Sequence, residues 1–87
     1  MDITTLCQFL KEQILVNLLS QMLDNPEESQ VEFIFSERTV SFSIATNDRD
    51  RGKLIGLRGR NVDAIRTLCG AICARHGFKF HLTVVGD

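Results

Sequence analysis

Lys53-Leu54-Ile55-Gly56-Leu57-Arg58-Gly59-Arg60-Asn61-Val62-Asp63-Ala64-Ile65-Arg66 is the stretch on which the fold turns. A Gly-x-x-Gly set is common by chance, but these flanks are not. Leu54 and Ile55 close one helical pattern, while Val62 and Ile65 open another at helical spacing. Glycines at such a junction let the backbone turn sharply and let a ligand come close. The amides that open a helix lack partners within it and carry the positive end of its dipole, which suits an anion. Arg58 and Arg60 add charge at that point, and Arg51 and Lys53 stand just upstream. This pattern predicts a loop that grips a sugar–phosphate backbone. Two other readings stay open: a plain helix–helix turn, and a loop for protein contacts, since Leu57 is apolar.

Working outward, Asn47 or Asp48 can cap the first of these helices, at about 49–55. The second spans about 60–76, with Val62, Ile65, Leu68, Cys69, Ile72 and Cys73 on one side. Gly77 falls where a left-handed C-terminal cap is expected. Phe78-Lys79-Phe80-His81-Leu82-Thr83-Val84 then alternates as a strand. Upstream, 31–35 and 40–44 alternate in the same way and predict a hairpin. Its connection holds no Gly or Asn, which points to a longer turn than the tight mirror-image types.

Residues 2–24 read as one helix, with Ile3, Leu6, Cys7, Leu10, Ile14, Leu18 and Met22 near a 3.6-residue period. Phe9, Leu15, Val16, Leu19 and Leu23 widen its apolar face, so it sits deep or meets a partner. Asn25-Pro26 is its expected stop, and 27–30 a polar link. The order is therefore α-β-β-α-α-β. A hairpin followed by a helical crossover gives an α+β fold, a three-stranded mixed sheet with helices packed on one face. Glu32, Ser41, Ser43, Lys79, His81 and Thr83 then share the opposite face. Residues 1–87 make one domain, with the helix and link at 1–30 and the ββααβ core at 31–87.

Composition narrows the function. The chain is 44% hydrophobic, enough for a core, and six Phe carry all its aromatic mass. It has no apolar run long enough to span a membrane and no signal-like N-terminus. Three cysteines without framework spacing favour a reducing cytoplasm. The net charge of −1 hides an asymmetry. Residues 1–48 carry two basic and eight acidic side chains, net −6, while 49–87 carry eight and three, net +5. Basic charge gathered in one half is a nucleic-acid footprint, although solvated helix faces look the same on charge alone.

Cys69, Cys73 and His76 share a helix face, but Ile65 and Ile72 lie there too. Core thiols are expected rather than metal ligands. Gly70 inside the same helix calls for another helix approaching closely, from this chain or a partner. No Ser/His/Asp set or supported carboxylate pair appears. The expectation is therefore a binding protein and not an enzyme, with no cofactor, metal or small-molecule substrate.

The loop and its flanks resemble the KH-domain signature, Ile-Gly-x-x-Gly followed by apolar positions at helical spacing. The element order resembles the type II KH arrangement of bacterial proteins. Over nearly the whole chain the sequence is similar to the short, stand-alone KhpA (YlqC) family. The similarity rests on Leu23-Asp24-Asn25-Pro26-Glu27, Asp50-Arg51-Gly52-Lys53-Leu54-Ile55-Gly56, Arg58-Gly59-Arg60 and Ala64-Ile65-Arg66-Thr67-Leu68. The resemblance implies a groove that clamps about four nucleotides of single-stranded RNA. Carried over, Gly56, Leu57, Arg58 and Gly59 form the clamp, Arg51, Lys53 and Arg60 steer phosphates, and the anchors Ile55 and Val62 complete the RNA-binding set. Leu57 departs from the lysine often found there, which removes one charge from the clamp. The resemblance further implies an RNA chaperone in post-transcriptional control, as a homodimer or with the larger protein KhpB, and effects on cell elongation and envelope growth. A KH-like assembly module and a ribosome-associated assembly factor are the competing readings.

Overall fold

The computed structural model describes residues 1–86. Asp2 caps the first helix, its carboxylate accepting from the Thr5 amide at 2.8 Å. The chain then runs through α1 (Ile3–Phe9), a π-helical segment (Leu10–Leu15) and α2 (Val16–Met22) with helical backbone throughout. The π turn corrects the expected even 3.6-residue period. It takes up an extra residue, so the buried row steps from Leu6, Cys7 and Leu10 to Leu15, Leu19 and Leu23. Ile14, Leu18 and Met22, expected on that row, are only partly buried. The helix also ends earlier than Asn25-Pro26: Leu23 is already extended, at ψ 151°. Pro26 instead starts a short 3-10 turn, Pro26–Glu28, within the link.

The sheet holds β1 (Gln30–Ser36), β2 (Thr39–Ala45) and β3 (Lys79–Val84) in the order β1-β2-β3. β1 and β2 pair antiparallel from Gln30↔Ala45 to Ser36↔Thr39, and β2 and β3 pair parallel from Thr39↔Lys79 to Ile44↔Val84. The hairpin turn is tighter than expected. Only Glu37 and Arg38 connect the strands, with Glu37 at φ 51°. Tertiary bonds hold this turn against local preference. The Lys79 amide donates to the Arg38 carbonyl at 2.7 Å, and the Arg38 guanidinium donates to the Gly77 carbonyl at 3.2 Å.

Between β2 and β3 lie α3 (Asp48–Ile55) and α4 (Arg60–Arg75). Asn47 caps α3 by accepting from the Asp50 amide at 2.8 Å. α4 ends as expected on Gly77, at φ 84°. The Gly77 amide donates to Ala74 and the Phe78 amide to Cys73, which satisfies two of the last carbonyls of the helix.

The core lies between the sheet and the helices. Val31, Val40, Phe42, Ile44, Leu82 and Val84 face Leu6, Leu10, Leu15, Leu54, Val62 and Ile65. The opposite face carries Glu32, Lys79, His81 and Thr83 in the open and Ser41 and Ser43 half-covered. Cys7, Cys69 and Cys73 are buried in the core as free thiols. Burial pushes the Cys69 and Cys73 pKa values up to about 11, each helped by a neighbouring thiol. Such groups are protonated near neutrality and poor ligands or nucleophiles. Two expectations for α4 need correction. Leu68 is 61% exposed instead of joining the core row, because Ile65 and Cys69 already occupy the face turned to the sheet. A Cβ on Gly70 would meet nothing within 4 Å, so among the described residues no other element approaches it.

Candidate functional site

α3 and α4 meet at the 56–59 loop. The α3 helix closes on Gly56, whose amide donates to the Gly52 carbonyl at 2.9 Å. Gly56 then leaves the helix at φ 78°, ψ 172°. Leu57, Arg58 and Gly59 make one 3-10 turn, with Arg58 at φ 57° and Gly59 at φ 77°. Two left-handed glycines thus bracket the turn, and Arg58 holds a conformation that is rare for a long side chain.

Beneath the loop the anchors divide. Leu54 is fully buried and Val62 nearly so, while Ile55 is half-buried against the core. Val62 therefore supports the loop from below, and Ile55 is partly open beside it. Above them Leu57 is 76% exposed. Arg58 and Arg60 are exposed and make no salt bridge among the described residues. No side chain caps the N-terminus of α4, a 16-residue helix. The positive end of its dipole lies at this turn, beside Arg58 and Arg60, although the Gly59 and Arg60 amides already donate to the Gly56 and Leu57 carbonyls.

The other expected cations are already paired. Lys53 reaches back to Asp24, Nζ to Oδ2, at 2.6 Å. Arg51 pairs with Asp48 and rests its guanidinium against Gly86, toward the end of the chain and not the loop. The structure thus brings together Ile55, Gly56, Leu57, Arg58, Gly59 and Arg60, with Val62 below. It leaves Lys53 at the margin and turns Arg51 away.

Three residues outside the expected set shape the site. The Asn61 side-chain amide donates to the Lys53 carbonyl at 2.9 Å and so ties the start of α4 to the last turn of α3. Asp63 pairs with Arg66 at 3.0 Å and brings a carboxylate near Gly59. Asp50 is buried and accepts from the amides of Asn25 at 2.9 Å and Asp24 at 3.1 Å and from Asn47 Nδ2 at 3.1 Å. Burial pushes its pKa up, but the Asn25 and Asp24 amides, Asn47 and the charge of Lys53 outweigh that, and the net shift is downward. Asp50 thereby joins α3 to the link that follows α2. The Asn47-x-x-Asp50 spacing at a helix start was the sequence signal for part of this network. Asn61 had none, because its partner is set by how the two helices meet.

Such a loop can seat a phosphate on backbone amides and arginines, with an open apolar side chain at its tip. Among the described residues no group of three His, Cys, Asp or Glu side chains is placed to hold a metal ion. No helix there is long and apolar enough to cross a membrane.

Comparison with known proteins supplies the remaining finding. Residues 12–84 match the model of the family described as KhpA/KhpB, KH domain. The chain is 29% identical over 76 residues to the RNA-binding protein KhpA of Chlamydia caviae, covering 87% of this chain and 97% of that one. It is 24% identical over 74 residues to RNA-binding protein KhpA of Listeria monocytogenes, covering 85% and 97%. Against RNA-binding protein KhpA of Borreliella burgdorferi it is 31% identical over 68 residues, covering 78% and 83%. No solved structure matches it.

Proposed function

The chain belongs to the KhpA/KhpB KH-domain family, and from that premise we propose that it binds single-stranded RNA through the 56–59 loop. One observation carries this reading: Arg58 and Arg60 are exposed and make no salt bridge among the described residues, at the start of α4 and at a turn bracketed by Gly56 and Gly59. The backbone of a short RNA segment lies along the loop, with its phosphates on the α4 amides and the two arginines. Half-buried Ile55 and exposed Leu57 offer apolar surface to the bases. The protein acts by binding and not by catalysis. With Lys53 and Arg51 drawn onto Asp24 and Asp48, the salt dependence of binding is shallow, because few free cations displace counterions.

A dimer belongs to the same reading, of two copies or with the larger protein KhpB. Leu68, 61% exposed in mid-helix, and the open space over Gly70 support an interface on α4. We further place the protein in the cytoplasm as an RNA chaperone in post-transcriptional control. Altered cell length and envelope growth on its deletion are the cellular test. A second reading, assembly without RNA, rests on Leu57, an apolar side chain 76% exposed where a charge would serve RNA better.

Replacing Leu57 and Arg58 with Asp and titrating an eight-nucleotide single-stranded RNA at low and moderate salt separates the two. RNA binding through the loop makes the variant weaker by about tenfold or more at low salt. If the wild type binds no better than the variant there, the RNA reading fails. Light scattering on both proteins then shows whether the loop governs assembly.

A further inference from the structure

The two edges of the sheet are treated differently. At the β3 edge the Arg66 guanidinium donates twice to the Leu82 carbonyl, at 3.1 Å and 3.4 Å. Among the described residues, no side chain makes a comparable bond to the β1 edge. β1 is seven residues long, keeps an unbroken register with β2, and contains neither Pro, Lys nor Arg. Edge strands are usually blunted by such residues or by a bulge. Here the strand instead carries Phe33, Ile34 and Phe35 in succession, with Ile34 75% exposed and Phe35 42%.

Beside this bare edge runs a groove of about 620 Å³, between the first helix and the Pro26-to-Glu32 segment. Val16, Leu19 and Val31 give it an apolar lining, and the carboxylates of Glu27 and Glu32 outnumber the one ammonium along it, that of Lys11. An open strand edge flanked by a helix-lined groove is the arrangement that accepts an added strand. Main-chain bonds supply affinity there, and alternate side chains enter the groove.

We infer that the β1 edge docks an extended segment of a partner protein in which aliphatic residues alternate with lysine or arginine. The aliphatic set enters the groove over Val16 and Leu19, and the basic set lies against Glu27 and Glu32. Charge decides the occupant. A second copy pairing its own β1 here would gather the glutamates of both copies on one rim, and like charges across strands are destabilising. RNA would meet the same carboxylates with its phosphates. β1 also lies at the opposite edge from β3, on which α4 packs, so this site is independent of the 56–59 loop.

Three capped nine-residue peptides test the inference on the full chain: alternating Lys and Val, alternating Glu and Val, and the Lys–Val peptide with a central Pro. Amide hydrogen exchange across Gln30–Ser36 reports docking. The Lys–Val peptide is expected to slow exchange in β1, with the Glu–Val peptide about tenfold weaker and the Pro peptide inactive. Both glutamates are exposed, so the double variant E27K/E32K keeps the fold and reverses the preference between the first two peptides. The inference is overturned if no peptide protects β1, or if protection is blind to charge. Protection that rises with protein concentration without peptide would assign the edge to a second copy and overturn it as well.

Discussion

Asn61 and Gly56 interlock across the loop. The Asn61 amide donates to the Lys53 carbonyl at 2.9 Å, and a Cβ on Gly56 would stand 2.7 Å from Asn61 Cγ. The side chain that ties α3 to α4 therefore fills the space a larger residue at 56 would need. Gly56→Ala meets this contact in addition to its own φ of 78° and should cost about 1–3 kcal/mol. Gly59→Ala would find only Asp63 Oδ2, at 3.8 Å, and carries the backbone cost alone. Adding Asn61→Ala to Gly56→Ala removes the two shortest contacts and leaves Asn61 Cβ at 3.0 Å, so the pair should couple favourably by about 0.5–1 kcal/mol. Urea unfolding of the four proteins of that cycle measures the coupling, and strict additivity contradicts the interlock.

Asp24 holds Lys53 at 2.6 Å, with both side chains about half exposed. Such a pair is weak, and RNA phosphates compete with it for the ammonium. Asp24→Asn should strengthen RNA binding by roughly twofold to fivefold at low salt, with the gain fading as salt rises. Equilibrium titration at the two salts checks it. A loss of affinity would show instead that the bridge positions Lys53 for RNA.

Asp50 makes the join between the link and α3 sensitive to acid. Its folded pKa lies below the ordinary 3.8, so the folded state favours the charged form. That stabilisation is whole above the unfolded value and drains away as pH falls through the folded one. Asp50→Asn should lower the urea midpoint near neutrality. Its deficit against the wild type should shrink as pH is lowered from about 6 to about 2. A deficit that stays constant across that range would mean the carboxylate charge is not what holds the join.

Gly70 stands in mid-helix with nothing within 4 Å of a Cβ position. Gly70→Ala should therefore stabilise the monomer by about 0.5–1 kcal/mol through helix propensity alone. Thermal unfolding at low protein concentration measures it. No rise in midpoint would contradict the open space seen here.

These relationships mark where the sequence could be read and where it could not. Strand alternation, the Asn47 cap, the Gly77 stop and the helix–loop–helix around Gly56 are local patterns, and each element formed close to its expected place. The π turn was harder. Ile14 and Leu15 are both apolar, and only packing against the sheet selects Leu15 for the buried row. The two-residue turn at Glu37 depends on Arg38 bonding to Gly77 and Lys79, far along the chain. The loop glycines and arginines were legible because their chemistry is local. The pairing of Lys53 with Asp24 and of Arg51 with Asp48 was not, since surplus positive charge in a sequence does not say which cations are left free.

Amide chemical shifts of the labelled protein, followed while a short single-stranded RNA is added to saturation, test the central claim most directly. If the loop is the RNA clamp, the largest changes fall on residues 56–62, at the loop and the first turn of α4, and β1 stays still. Saturable changes confined to β1 or the outer sheet face, or none at any RNA concentration, would contradict it.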